Sequence, residues 1–532
     1  MIVSNLCKQI GDKRILDGVS FVVSDRDKIG LVGTNGVGKS TLLKILSKEL
    51  EFDSGKINYE GKTIAYLKQE ISNDFNDLII CQFVKKECEI DILELEIKEL
   101  ENKLCDSNMD QYNKLLNKYL LLDGYSFEYK LESILNGLNF KKNINVKVGE
   151  LSGGEKIKIL LSILILKNGD ILLLDEPTNN LDSDAINWLE SYLKSIKKNI
   201  IVVSHDEIFL NNIVNKVWEL KNGYIFQYNT GYEDYLKQKN REYEQSKFEY
   251  IKSIEQRDKI KKQIQIAKEW TNKGNNKKTY NDNDKIANNY AKERTNFGNI
   301  SKLTNELKNL EIPEFKEKKT LDIFFNFNEE KSNKDIFLDN LSIGYNKNIL
   351  CKNLNLIIPF GSSVNIVGSN GSGKSTLLKT ILGIINPISG IVNIGSGVRF
   401  GYISQNTLEE NIDESIYSYL VYGINNIDKS KVFMLMNKIG INNEDKNKLY
   451  STLSPGERTR VNIAKLALNN VNVLILDEVT NHLDSEALEL IYELIKVFKG
   501  TIISVSHNRK YNEILNPNIT FNLNKDVNKD FK

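Results

Sequence analysis

The sequence predicts an α/β fold: two copies of one domain, each a mixed sheet with a helical subdomain, joined by a long antiparallel two-helix linker. Three observations predict it. One set of short motifs occurs twice, each motif closes a strand-like apolar run or opens a helix-like one, and the chain carries no proline from 178 to 312, across most of the region between the two sets. The 532 residues hold 40% apolar and 27% charged side chains, an ordinary balance for a globular chain that buries full cores.

The motifs come in chain order. The first copy reads Gly33-Thr-Asn-Gly-Val-Gly-Lys39-Ser40-Thr41, then Leu151-Ser-Gly-Gly-Glu155, then Ile171-Leu-Leu-Leu-Asp175-Glu176, then His205. The second reads Gly368-Ser-Asn-Gly-Ser-Gly-Lys374-Ser375-Thr376, then Leu453-Ser-Pro-Gly-Glu457, then Val473-Leu-Ile-Leu-Asp477-Glu478, then His507. Ser454, Asp477 and His507 each lie 302 residues beyond Ser152, Asp175 and His205, so the chain is an internal duplication.

Each glycine-rich segment follows a strand-like run, Lys28 to Val32 or Ser363 to Val367, and opens a helical one, the context that separates a P-loop from a chance match. Backbone N–H groups at Gly33, Asn35, Gly36 and Gly38, and at Gly368, Asn370, Gly371 and Gly373, are expected to close around phosphate at a helix N-terminus. Lys39 or Lys374 then reaches the outer phosphates, with Thr41 and Thr376 alongside. Ser40 and Ser375 are the expected magnesium ligands. Asp175 and Asp477 end apolar runs, which places them at the carboxyl ends of buried parallel strands, where they would hold magnesium through water. Glu176 and Glu478 follow directly, placed to orient the attacking water, because positioning and charge stabilisation carry most of phosphoryl transfer. Gln69 and Gln405 lie at similar distances after their P-loops and would sense magnesium and water. All three histidines fall in these motifs: His205 and His507 as γ-phosphate sensors, His482 beside the second acidic pair. ATP and Mg2+ are the cofactors expected.

Composition excludes several function classes. No apolar run approaches the roughly 18 residues of a membrane helix, and no secretion signal opens the chain, so a cytoplasmic protein is expected. Cys7, Cys81, Cys88, Cys105 and Cys351 contain no C-x-x-C pair, which argues against a zinc ribbon or a disulfide framework. A net charge of +1 confines any nucleic-acid affinity to a local patch.

These motifs resemble an ATP-binding cassette pair. In that family the signature loop of one cassette closes on the P-loop of the other. The resemblance implies a first site of Gly33 to Thr41, Gln69, Asp175, Glu176 and His205 with Ser454 and Gly456. It implies a second of Gly368 to Thr376, Gln405, Asp477, Glu478 and His507 with Ser152, Gly153 and Gly154. Three departures make the sites unequal. Pro455 replaces a signature glycine and removes a backbone donor, Val479 stands where the first copy has Pro177 and is expected to loosen that turn, and Tyr345, placed to stack on adenine, corresponds to Ile10.

Gln69 and Ser152 lie 83 residues apart, Gln405 and Ser454 only 49, so the first cassette carries an insertion of 34 residues. Within it Ile90, Leu93, Ile97, Leu100 and Leu104 form a helical seam, followed by a second run of Tyr112, Leu115, Tyr119 and Leu122. A projecting hairpin over about 85–122 is expected. The domains expected are a first cassette over 1–231, a linker over 232–320 with a basic, polar tip at about 265–290, and a second cassette over 321–532. Lys261, Lys262, Lys268, Lys273, Lys277 and Lys278, against the single acid Glu269 and interleaved with Trp270 and Tyr280, suit a phosphate backbone and base stacking.

Tandem cassettes, an arm in the first, a two-helix linker and Asp175-Glu-Pro-Thr-Asn-Asn-Leu-Asp182 resemble the ABC-F family. That resemblance implies binding near the ribosomal exit site in the ATP-closed form, with 23S rRNA and peptidyl-tRNA as partners, a single chain pairing its own cassettes, and release on hydrolysis. The long polar tip points to the members that protect ribosomes from lincosamides, pleuromutilins and streptogramin A. A housekeeping translation factor is the alternative. A transporter ATPase is disfavoured by the fused linker, and no membrane subunit is expected.

Overall fold

The computed structural model describes residues 1–68, 71–102, 108–179, 181–275, 300–310, 334–345, 348–369, 371–404, 412–424, 428–441, 443–480, 485–506 and 508–523, and residues 313, 315, 325 and 483. They form two compact units: Met1–Tyr232 with Thr320–Lys532, and Glu233–Lys319.

In the larger unit the same architecture occurs twice. Strands β1 (Ile2–Ile10), β2 (Lys13–Val22) and β4 (Ser54–Asn58) make an antiparallel sheet in the order β2-β1-β4. A second sheet contains β3 (Lys28–Val32), β5 (Ile64–Tyr66), β6 (Ile171–Asp175), β7 (Asn199–Val203), β8 (Lys216–Lys221) and β9 (Tyr224–Tyr228) in the order β5-β6-β7-β3-β8-β9. Only its β8–β9 edge is antiparallel. The second half repeats this with β10 (Ile336–Tyr345), β11 (Asn348–Ile358) and β13 (Ser389–Ile394) as the antiparallel sheet. Its parallel sheet has β12 (Ser363–Val367), β14 (Phe400–Ser404), β15 (Val473–Asp477), β16 (Thr501–Val505) and β17 (Ile519–Asn522) in the order β14-β15-β16-β12-β17.

The apolar runs before the acidic pairs are the middles of these sheets, buried at every residue in β6, β7, β15 and β16. Strands covered on both faces need such continuous runs, and each buried Leu or Ile contributes roughly 1.5–3 kcal/mol. Helices α1 (Lys39–Leu46) to α8 complete the first half: α2 (Ile80–Glu87), α3 (Ile90–Glu101), α4 (Met109–Leu121), α5 (Phe127–Gly137), α6 (Gly153–Leu166), α7 (Ser183–Ser195) and α8 (Glu207–Ile213).

Helices α3 and α4 fall within the insertion. Tyr119 Oη donates to Glu94 (3.1 Å) and Tyr112 Oη to Glu101 (3.0 Å), so residues near the connection pair with each other and the helices run antiparallel. Ile90, Leu93, Ile97 and Tyr119 are buried along the seam; Leu104 lies outside the described residues.

The smaller unit holds α9 (Tyr232–Asn275) and α10 (residues 300–309). Tyr243 and Tyr250 both pack on Phe315, with centroids 5.3 and 5.4 Å apart. Helix α9 extends to Asn275, into the stretch of about 265–290 expected as the polar tip, because nothing before Gly274 breaks it; residues 276–290 lie outside the described residues. The second cassette adds α11 (Lys374–Ile381), α12 (Ile416–Val421), α13 (Lys429–Lys438), α14 (Pro455–Leu468), α15 (Ser485–Val497) and α16 (Arg509–Leu515).

Candidate functional site

Two cavities sit on the two glycine-rich loops. Backbone shape comes first. Gly38, with φ 110°, caps α1, and a Cβ there would lie 2.3 Å from Ile15 Cγ2; at Gly33 it would lie 2.5 Å from the Leu220 carbonyl oxygen. Only glycine meets both the positive φ and the close approach. Lys39 is buried, its ammonium donating to the Gly33 (2.6 Å) and Thr34 (3.1 Å) carbonyls. Lys374 does the same to Gly368 (3.0 Å) and Ser369 (3.2 Å), and burial pulls its pKa down. Each loop thus curls around its own lysine at a helix N-terminus, a ready anion cradle.

The acids stand opposite. Asp175 is buried at the end of β6. Asp477, in the same place on β15, accepts from Ser375 Oγ (3.0 Å) and Tyr402 Oη (3.3 Å), and burial raises its pKa. A serine hydroxyl and a buried carboxylate in contact form an all-oxygen donor pair of the kind Mg2+ prefers. Ser40 and Thr41 line the first cavity with Asp175.

Glu176 and Glu478 both have φ 49°, a left-handed conformation costly for a non-glycine residue. The bend is pinned by Glu176 N–H donating to the Val203 carbonyl and Glu478 N–H to that of Val505, each at 2.9 Å. Desolvation, then the charge of Asp175, pushes the Glu176 carboxyl up to about 7; desolvation raises Glu478 as well. His205 donates its backbone N–H to Glu176 (3.3 Å), and its Nε2 lies 3.4 Å from Glu176 Oε1 and 3.2 Å from Asn35 Oδ1. Glu176, His205 and Asn35 thus form one cluster at the loop.

The cavities differ in who lines them. The second, of about 610 Å³, brings Tyr345, Gly371, Gly373, Lys374, Ser375, Thr376 and Glu478 together with Ser152, Gly153, Gly154 and His205 of the first cassette. The first, of about 270 Å³, is lined among the described residues by the first cassette alone, including Asn35, Gly36, Gly38, Lys39, Ser40, Asp175, Glu176 and His205. Ser454 and Gly456, expected there, are not among the residues that line it. The first signature thus borders the second cavity, whereas the second signature does not border the first. His205 borders both cavities.

The signature serines act locally as helix N-caps. Ser152 caps α6 and Ser454 caps α14, each in a reciprocal box with Glu155 or Glu457. Pro455 occupies the first turn of α14, where its missing N–H costs nothing. Val479 does not loosen its turn as expected. It is fully buried, Glu478 keeps the φ of Glu176, and the Thr480–Ser506 hydroxyl contact of 3.2 Å equals that of Thr178–Ser204. Burial holds the turn in place of the proline ring.

Tyr345 borders the second cavity, its hydroxyl accepting from Thr376 Oγ1 at 3.4 Å; Ile10 is 51% exposed and not part of the first cavity's lining. Sequence reading missed Ile15 and Leu350, which border the cavities beside Gly38 and Gly373. They are separated by 335 residues, as Gly33 and Gly368 are, and that offset would have found them. It also missed the threonine–serine contacts, whose signal is again the 302-residue offset. Gln69, Asn370, Gln405, His482 and His507 lie outside the described residues. Lys261, Lys262 and Lys268 are exposed on α9, whereas Lys277, Lys278 and the side chain of Lys273 lie outside them.

Comparison with known proteins gives a consistent outcome. A family model described as ABC transporter matches residues 16–179 and 351–481. The ATP-binding protein Uup of Buchnera aphidicola subsp. Acyrthosiphon pisum (strain APS) is 32% identical over 519 residues, covering 96% of this chain and 78% of the relative. The probable ATP-binding protein YbiT of Escherichia coli O157:H7 is 30% identical over 525 residues, covering 96% and 94%. Among solved structures, the archaeal ribosome recycling factor aABCE1, in complex with the stalk protein aP1, superposes with a TM-score of 0.57 at 18% identity, covering 96% of this chain and 86% of that one. At that identity the likeness concerns the fold.

Proposed function

Because the chain belongs to the ABC transporter family and is a tandem ATP-binding cassette ATPase, we propose that it is an ABC-F-type ATPase that works on the ribosome. Cassette closure around ATP sets the shape that binds, the linker reaches toward 23S rRNA and peptidyl-tRNA near the exit site, and hydrolysis permits release. The finer proposal is protection against lincosamides, pleuromutilins and streptogramin A. The observation carrying the ribosomal reading is α9, 44 residues long with Lys261, Lys262 and Lys268 near its far end: a helix this long and basic serves no purpose in tethering two cassettes. Among the described residues no helix is long and apolar enough to cross a membrane, so none offers a membrane partner inside the chain.

The residues divide the chemistry as follows. Lys39 and Lys374 hold the outer phosphates, and Ser152 with Gly153 and Gly154 closes on the nucleotide of the second site. Ser40 with Asp175, and Ser375 with Asp477, would hold Mg2+, which supplies charge neutralisation on the phosphates when bound. Glu176 and Glu478 orient the attacking water. His205, in contact with Glu176, reads the γ-phosphate of the first site, and His507 is the residue expected to do so in the second.

The test is cell-free bacterial translation inhibited by a lincosamide, a pleuromutilin or a macrolide, with purified wild type or the Glu176→Gln, Glu478→Gln double variant. Rescue by wild type is the expected result. No rescue, with the double variant still blocking translation, assigns the chain to housekeeping translation; no ribosome binding by either form overturns the reading.

A further inference from the structure

Beyond the nucleotide sites, the cassettes touch through charges just past the two His motifs. Arg509, at the start of α16, donates from one guanidinium nitrogen to Glu190 Oε1 (2.9 Å) and from the other to Asn187 Oδ1 (2.7 Å), both on α7 of the first cassette. Lys510 donates to Glu207 on α8 at 2.6 Å, with its ammonium 5.4 Å from the centroid of Tyr492. Glu190 is 6% exposed and also accepts from Asn212 Nδ2 (3.0 Å). A carboxylate so buried requires its cation.

The duplication makes this contact a code. At the offset of 302, Glu207 corresponds to Arg509, Ile208 to Lys510 and Glu190 to Tyr492. The contact is therefore pseudo-symmetric: position 509 faces position 190, and positions 207 and 492 both lie against the Lys510 ammonium. Two first cassettes paired this way would set Glu207 against Glu190 on both sides. Two second cassettes would set Arg509 against Tyr492 and Lys510 against Arg509. Only unlike halves bring each cation to an acid.

We propose that Arg509 and Lys510, meeting Glu190 and Glu207, form a charge-coded surface by which each cassette selects its unlike partner and holds it along this edge. The partner fitted by the surface is the other half of the duplication, and the code disfavours a second copy of the same half. The chain thereby closes on itself in ATP without recruiting another chain. This concerns cassette pairing alone, and its test uses no ribosomes.

The experiment uses the full chain in three forms: Arg509→Glu with Lys510→Glu; Glu190→Arg with Glu207→Lys; and all four changes together. ATPase activity and sedimentation velocity in ATP are measured at low and high salt. Either reversal alone is expected to raise the half-maximal ATP concentration by about tenfold, most strongly at low salt, and the four-fold reversal to return it to within about twofold of wild type. Mixing the two singly reversed chains in ATP is expected to give a two-chain complex, while wild type sediments as a single chain. Neutral Arg509→Gln with Lys510→Gln, which introduces no repulsion, is expected to show a smaller increase and keeps the test valid if a reversal fails to fold. Unchanged ATP dependence in the neutral and reversed forms, or no recovery when charges are exchanged across the interface, overturns the proposal.

Discussion

The two nucleotide cavities are built from the same motifs and arrive at different surroundings. Around Lys374 the cavity is walled by both cassettes, with Ser152 to Gly154 in place; around Lys39 the wall, among the described residues, is the cassette's own. The two cassettes agree in local detail at these turns, with φ 49° at both glutamates and 3.2 Å at both threonine–serine contacts. Duplication has preserved what each cassette does for itself. The halves differ in what each does for the other.

That contrast can be broken first at the glutamates. Glu478→Gln, in the site that has its opposing signature, is expected to reduce steady-state ATP turnover by about 100-fold or more, and Glu176→Gln by clearly less. Equal losses in a phosphate-release assay would show that the two sites are functionally matched. A sharper and smaller effect is expected at the signatures. Ser152→Ala and Ser454→Ala should each destabilise their helix by about 1 kcal/mol through the lost N-cap, read as a small drop in Tm. Only Ser152→Ala should also weaken nucleotide binding measurably by fluorescent ATP titration; parallel weakening in Ser454→Ala would mean that the first site closes equally. The smallest effect is expected from Thr178→Val or Thr480→Val, each removing one hydroxyl contact worth roughly 0.5–1.5 kcal/mol. These should match each other in urea midpoint, and a marked difference would separate the two turns that the geometry makes alike.

Much of this was legible beforehand because motifs that hold phosphate are local. A glycine-rich turn between strand and helix, an acid at the end of an apolar run and a serine capping a helix each occupy a few consecutive residues, and their spacing survives duplication. The seam of Ile90, Leu93 and Ile97 could likewise be read from helical period. What could not be read was long-range. Nothing in the sequence near Arg509 announces Glu190, 319 residues away. Ile15 carries no motif and is recognised only once Gly38 lies against it. Val479 was misjudged because local propensity predicts a looser turn, whereas complete burial fixes the same turn by packing. The unequal cavities belong to the same class: each depends on how the halves meet.

The pinned bend at the glutamates has a consequence for where damage would be felt. Glu176 is positioned by the pairing of β6 with β7, in which Asp175 lies opposite Val203, and Glu478 by the same pairing of Asp477 with Val505. The parallel ladder is thus a ruler graduated in steps of about 3.3 Å, and a slip of one graduation would carry the carboxylate a full residue along and turn it to the opposite face. The position of each glutamate is set in the sheet interior, among buried leucines and isoleucines that line neither cavity.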